Sequence, residues 1–337
     1  MVISECAYPR AGLIGNPSDG YFGKTIAFAF TNFRAKVQLY ESPDLEILPA
    51  SRDHSRFRSV AELVGDVRLY GYYGGIRLLK AAIKRFVEYC QSAGVRLDDR
   101  NFTLRYESDI PHLVGLAGSS AIITAAMRAM MSFYGVRISK PVLANLIRAV
   151  ETEELGIAAG LQDRVAQVYQ GVVYMDFNRG AMESRGYGIY EEMDRTLLPP
   201  LYIAYRSALA QSSEMVHNDL RERYRRGDPV VLEAMRFWAD LTDQVRDCLI
   251  RRQWDRLPAL LDANFDRRTS LYDVGAGNLR MVRTAREAGA CAKFTGSGGA
   301  IVGICPDEAA YGRLTERLGE LDVKVIRPAI APPVGGE

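Results

Sequence analysis

Gly115-Leu116-Ala117-Gly118-Ser119-Ser120-Ala121 is the stretch on which the reading of this chain turns. It opens directly into a run with helical spacing (Ile122, Ala125, Ala126, Ala129, Met130, Phe133), and Gly135 follows as a stop. Glycines let a backbone come close to a phosphate. The unpaired N–H groups and positive dipole end of a helix N-terminus then hold the anion. Ser119 and Ser120 add hydroxyls able to cap the helix, touch phosphate or ligate a metal. Taken alone, the stretch fits equally well a Gly-Ser turn that only caps its helix.

Upstream of it, residues 11–14 and 25–30 predict strands on either side of a glycine-rich turn. Gly23-Lys24-Thr25 imitates the end of a P-loop, but Ser18 stands where the first glycine should be, and the residues after Thr25 predict a strand where a P-loop needs a helix. A P-loop fold is therefore excluded. Alternation over 35–39 and 102–106 predicts strands, and helical spacing predicts helices over 76–93, 143–154 and 162–169, with a strand over 171–177. Pro199-Pro200 marks a boundary between domains 1–198 and 199–337. Beyond it come a strand over 201–205, charged helices over 212–268 and a glycine cluster at 296–299. A strand, a helix and a last strand follow over 300–305, 307–319 and 323–326. Strands and helices mix without a βαβ rhythm, which predicts an α+β fold.

A chain of 337 residues is too long for one core. Its hydrophobic fraction of 48% and charged fraction of 25% are those of a globular protein. A net charge of +2 points away from nucleic acid and anionic membrane. The start, Met1-Val2-Ile3-Ser4-Glu5-Cys6, has no basic segment and no long apolar run, so no signal peptide is expected. The five cysteines are odd in number and widely spaced, which predicts free thiols in a reducing cytoplasm. His54, His112 and His217 match no metal or triad spacing.

Three motifs in order carry a family resemblance: Pro9-Arg10-Ala11-Gly12-Leu13-Ile14-Gly15-Asn16-Pro17-Ser18-Asp19, the loop at 115–121, and Lys293-Phe294-Thr295-Gly296-Ser297-Gly298-Gly299-Ala300. Together they resemble the GHMP kinases, the superfamily of galactokinase, homoserine kinase and mevalonate kinase. Longer stretches resemble the glucuronokinases within it: Tyr21-Phe22-Gly23, residues 73–79, 99–102 and 154–169, and Asn264-Phe265-Asp266. The resemblance implies a ribosomal-S5-like N-terminal domain packed on a ferredoxin-like C-terminal domain. It implies ATP-dependent phosphorylation of the anomeric hydroxyl of D-glucuronate, with ATP and Mg²⁺ as cofactors. The partners it implies are a sugar acid and ATP, not nucleic acid or membrane, and the chain is expected to be a monomer or homodimer.

The resemblance also assigns roles. Asp163 matches the acid near the acceptor hydroxyl, and Arg10 the cation of the first motif, so both are expected to be catalytic. Asn16, Asp19, Tyr21 and Arg164 fall at substrate positions. Asn16-Pro17 stands where galactokinases have Glu-His, which implies a different sugar. Gly115, Leu116, Ala117, Gly118, Ser119, Ser120, Gly296, Ser297 and Gly298 are expected around ATP. Ser119 and Glu151 are expected on Mg²⁺, with Glu153 as the alternative acid. The cation for a uronate carboxylate stays open among Arg164, Lys24, Arg34 and Arg10. The turn from Thr295 to Gly299 is expected to back the phosphate loop, and residues 70–75 are placed near the adenine or in the core. Two other readings stand beside this one: the same fold acting on galacturonate, galactose or a heptose phosphate, and a catalytically inactive sugar or nucleotide sensor.

Overall fold

Residues 24–29 are buried almost without a break, whereas residues 35–39 alternate between buried and half-buried and residues 40 and 41 are exposed. The first pattern belongs to a strand covered on both faces and the second to a strand covered on one. These two strands belong to different parts of the molecule. The computed structural model describes residues 2–50, 53, 74–206 and 214–335. His54 and residues 70–73 of the tyrosine-glycine segment lie outside them, as does the side chain of His217.

In chain order the elements are β1 (Val2–Ala7), β2 (Arg10–Ile14), β3 (Lys24–Ala29), β4 (Ala35–Ser42), β5 (Glu46–Leu48), α1 (Gly75–Ser92), β6 (Asn101–Ser108), α2 (Gly118–Tyr134) and α3 (Lys140–Ala149). There follow α4 (Gln162–Tyr169), β7 (Val172–Asp176), α5 (Arg179–Arg185), β8 (Ile189–Met193), β9 (Leu201–Arg206), α6 (Glu214–Arg225), α7 (Pro229–Ile250) and α8 (Leu257–Thr269). The last are α9 (Ala276–Glu287), β10 (Lys293–Phe294), β11 (Ala300–Ile304), α10 (Glu308–Gly319) and β12 (Val323–Ile326). Strands and helices mix as an α+β fold, in agreement with the sequence.

The chain divides into two compact units. The smaller holds residues 2–8, 33–110 and 118–159. Its sheet runs β1-β4-β6-β5, antiparallel except for β5 on β6, with Val37 opposite Tyr106. Helix α2 lies on β1 and β4, and most of its apolar side chains are fully buried, from Ala121 to Met130. The larger unit holds residues 9–32, 111–117 and 160–335. It has two antiparallel sheets, β2-β3-β7-β8 and β10-β11-β9-β12. Helix α7 packs on β3, where the Thr242 hydroxyl donates to the carbonyl of Lys24. Helices α9 and α10 close a core with Tyr202, Phe265, Phe294 and Leu314. The expected boundary at 198/199 falls inside this larger unit.

All five cysteines are free thiols. Among the described residues no helix is long and apolar enough to cross a membrane.

Candidate active site

The first motif is locked in place before any ligand is considered. Gly15 has φ +88°, and a Cβ there would stand 2.1 Å from the carbonyl oxygen of Lys24, so only glycine fits. Its N–H donates to Asn264 Oδ1 at 2.8 Å, and Asn264 Nδ2 donates to the carbonyl of Asn16 at 3.1 Å. The Asn16 Nδ2 donates towards the carbonyls of Phe294 and Gly296, while its Oδ1 is buried without a partner among the described residues. One asparagine on α8 thus clamps the turn that the sequence assigned to substrate.

Arg10 and Asp163 meet across 153 residues of sequence. Arg10 Nε donates to Asp163 Oδ1 at 2.6 Å, and Nη1 donates to the carbonyls of Gly115 at 2.7 Å and Thr295 at 3.2 Å. Arg164 Nη1 stands 3.1 Å from Asp163 Oδ2 and donates to the carbonyl of Gly160 at 3.1 Å. The arginine side chains are 5% and 6% exposed and that of Asp163 is 21%, so the carboxylate is the member of the group a ligand can reach. Burial pushes the Asp163 carboxyl up, but the two guanidiniums outweigh it and hold the group below its ordinary value. Asp163 also opens α4, where a negative charge is favoured.

Asp19 sits beside this group and behaves oppositely. Burial, then the charge of Asp163, pushes it up to about 6; the Gln162 N–H, 3.4 Å away, and the two arginines pull the other way. Tyr21 lies two residues on, half-buried, its ring 4.8 Å from that of Tyr224.

The residues of the 115–121 segment fall partly in one unit and partly in the other. Gly115, Leu116 and Ala117 belong to the larger; Gly118, Ser119 and Ser120 begin α2 in the smaller. Gly115 has φ +71°, and a Cβ there would stand 2.5 Å from the carbonyl oxygen of Gly298. The Thr295 hydroxyl donates to the Gly115 carbonyl at 3.2 Å, so the turn of Thr295, Gly296, Ser297 and Gly298 does back the loop. Ala117 also has positive φ, and Gln167 Nε2 donates to its carbonyl. Leu116 and Ser120 are buried, which leaves their backbone, not their side chains, for a ligand. The first turn of α2 carries no acidic side chain of its own; the negative charge set beside it is the Glu151 carboxylate, which accepts from Ser119.

In the smaller unit the Ser119 hydroxyl donates to Glu151 Oε1 at 2.8 Å, and Glu151 is buried. Glu151 lies on a π-helical turn, Val150–Glu154, that follows α3. The neighbouring acids turn elsewhere: Glu153 pairs with Arg85, and Glu154 with Lys84 at 2.8 Å. A hydroxyl and a carboxylate are hard oxygen donors of the kind Mg²⁺ takes when phosphates supply the remaining ligands. Among the described residues no group of three or more His, Cys, Asp and Glu gathers.

Of the cations offered for a carboxylate, Arg10 and Arg164 are committed to Asp163, and Lys24 pairs with Asp243 at 2.6 Å. Arg34 is exposed and belongs to the smaller unit.

Residues 77–171 match the family model described as GHMP kinases N terminal domain. The chain is 45% identical over 322 residues to the probable glucuronokinase 2 of Arabidopsis thaliana, covering 94% of this chain and 87% of that one. It is 42% identical over 320 residues to glucuronokinase 1 of the same plant, covering 93% and 88%. The chain belongs to the glucuronokinase family of GHMP kinases. Among solved structures, Lactococcus lactis galactokinase complexed with galactose is similar with TM-score 0.74 at 15% identity, covering 98% of this chain and 93% of that one. Methanococcus jannaschii mevalonate kinase is similar with TM-score 0.70 at 20% identity, covering 98% of both chains. These two show the fold.

Two buried cations of this family member escaped the sequence reading. Lys293 Nζ donates to the carbonyl of Gly12 at 2.5 Å, and Arg268 Nη1 to the carbonyl of Gly296 at 2.8 Å. Burial, then the charges of Arg268 and Arg10, hold the Lys293 amine well below its ordinary value. Lys293 opens the glycine motif and Arg268 stands four residues after Asn264, one helical turn on. Those positions were the available signal.

Proposed function

We propose that the chain transfers the γ-phosphoryl group of ATP to the anomeric hydroxyl of D-glucuronate, giving glucuronate 1-phosphate. The observation that carries this is Arg10, one guanidinium bonded both to the Asp163 carboxylate and to the Gly115 carbonyl of the phosphate loop. It couples an acceptor-side acid to a nucleotide-side backbone. The substrate follows from the glucuronokinase relatives.

In the reaction the sugar's 1-oxygen bonds to the γ-phosphorus, the bond from that phosphorus to the β,γ-bridging oxygen breaks, and the hydroxyl proton passes to Asp163. With two arginines lowering its basicity, Asp163 is a weak base. Its larger contribution is to orient the hydroxyl, which suits a transfer governed by positioning and charge stabilisation. Arg10 offsets charge on the moving phosphoryl group. Asp19, Asn16 and Tyr21 take the sugar hydroxyls. Ser119 and Glu151 are the residues that would hold Mg²⁺, which supplies charge neutralisation to the phosphates when bound. The reaction belongs in the cytoplasm, where the five thiols stay reduced.

A coupled ADP-release assay over glucuronate, galacturonate, glucose and galactose tests the reading. Glucuronate is expected to exceed glucose in kcat/KM by about 10²–10³, the worth of a charge-assisted bond plus the penalty of an unpaired cation. Equal turnover of glucose or galactose would make the chain a neutral-sugar kinase. Asp163→Asn is expected to lower kcat by about 10²–10⁴ with ATP binding retained. Activity within a few-fold of wild type would remove Asp163 from this role.

A further inference from the structure

Helix α6 and the residue after it carry four arginines within six positions: Arg221, Arg223, Arg225 and Arg226. Two are committed to neighbours. Arg223 pairs with Asp228 at 2.9 Å and donates to the carbonyl of Leu271, and Arg226 pairs with Glu222. Arg221 and Arg225 have no carboxylate partner among the described residues. They stand four apart on one helical face, and Tyr224, three after Arg221, shares it. That face lies against Tyr21: the Tyr224 ring is 4.8 Å from the Tyr21 ring, and the Tyr224 hydroxyl donates to the Tyr21 carbonyl at 3.4 Å. Tyr21 stands two residues beyond Asp19, which in turn borders Asp163.

The electrostatics agree with the geometry. Burial pushes the Tyr21 hydroxyl up to about 12, with Arg221 opposing it most strongly, Asp19 and Tyr272 adding to it, and Arg225 opposing. All these groups therefore share one neighbourhood within the larger unit. Arg221 is half-buried there, so its charge is incompletely solvated and favours a bound anion; Arg225 is exposed and contributes less.

Building on the uronate reading above, we propose that Arg221, assisted by Arg225, receives the C6 carboxylate of the sugar and so selects a uronic acid over a neutral hexose. With the 1-hydroxyl at Asp163 and ring hydroxyls at Asp19, the carboxylate, carried on C5, is directed to the Tyr21 side. The nearer arginines, Arg10 and Arg164, are already engaged by Asp163, and Lys24 by Asp243. A guanidinium presents its donors as a fork that fits a carboxylate with two parallel bonds.

The test is steady-state kinetics of wild type, Arg221→Met, Arg225→Met, the double variant and Arg221→Lys, on glucuronate and on glucose, with KM for ATP measured alongside. Arg221→Met should lower kcat/KM for glucuronate about 10- to 100-fold, mostly through KM, leave the KM for ATP within about twofold, and not lower glucose turnover, since it removes the cation that glucose leaves unpaired. The double variant should lose most of the glucuronate preference, and Arg221→Lys should restore part of it. Arg223→Met, which breaks the Asp228 pair, should lower the melting temperature and keep the preference. A wild-type preference that survives unchanged in the folded double variant would overturn the assignment of Arg221 and leave the uronate reading standing. A wild type that does not prefer glucuronate would overturn both.

Discussion

Asp19 and Asp163 are neighbouring carboxylates whose surroundings push their proton affinities apart, and in the proposed reaction that separation would divide their work. Asp163, held ionised by Arg10 and Arg164, is unchanged over the neutral range. Asp19, raised to about 6, is not. When protonated it offers the sugar fewer acceptor lone pairs, so kcat/KM for the sugar is expected to fall on acidification with a midpoint near pH 6. Asp19→Asn should lower kcat/KM and remove that limb; a wild-type profile flat from pH 5 to 8 would clear Asp19 of the role. Stability moves the other way. A carboxyl raised in the folded state binds its proton more tightly there than in the unfolded chain, so folding loses stability as pH rises from about 4 through 6. Asp19→Asn should therefore melt above wild type at pH 8, and the difference should shrink towards pH 4 in calorimetric scans. At this scale the family resemblance of the motifs singled out both acids and Arg10, and the fold sets them beside one another. The motifs did not reveal that Arg164 turns to Asp163, because only the fold aligns that side chain with Asp163.

The phosphate loop shows how two glycines of one motif carry different constraints. Gly115 needs its positive φ and faces the backbone of Gly298 at 2.5 Å from any added Cβ; neither can relax without moving the turn behind it. Gly118 opens α2 outside the left-handed region, and a Cβ there would meet Ile110 Cγ2 at 3.4 Å, an ordinary contact. Gly115→Ala is expected to lower both the melting temperature and ATP affinity, the latter more than tenfold. Gly118→Ala should keep the melting temperature and weaken ATP only through crowding of the nucleotide. Scanning calorimetry with ATP titration separates them, and equal thermal destabilisation by the two would refute this division. The elements that build the site were legible in the sequence. Residues 11–14 and 25–30 read as strands and 162–169 as a helix because each is an unbroken or periodic run. Strand β5 has three residues and β8 is an edge strand with exposed Ile189 and charged neighbours, so neither announces itself by alternation. The helix expected over 143–154 is α3 followed by a π-helical turn, on which Glu151 accepts from Ser119 while Glu153 pairs with Arg85.

Compact units are defined by contacts that interleave distant segments, which local sequence chemistry does not display. Pro199-Pro200 reads as a boundary from local chemistry alone, yet residues on both sides of it build one unit. Sheet β2-β3-β7-β8 lies before it, and α7 and α8, which pack on that sheet and hold its first turn, lie after it. Across the divide run the bonds from Gly15 to Asn264, from Thr242 to Lys24 and from Lys24 to Asp243. Fragment 1–198 would lose all of these and expose the apolar face that α7 covers. Each large apolar side chain returned to water costs about 1.5–3 kcal/mol, and each buried polar group left unpaired about 1–3 kcal/mol. A few such losses equal the entire margin of about 5–15 kcal/mol that holds a domain folded. The smaller unit, by contrast, keeps all three of its segments within 1–198. In hydrogen-exchange measurements on fragment 1–198, the amides of β2, β3 and β7 are therefore expected to lose protection relative to the full chain. Protection of those three strands equal to that in the full chain, with one cooperative melt, would place the physical boundary at 198/199 after all.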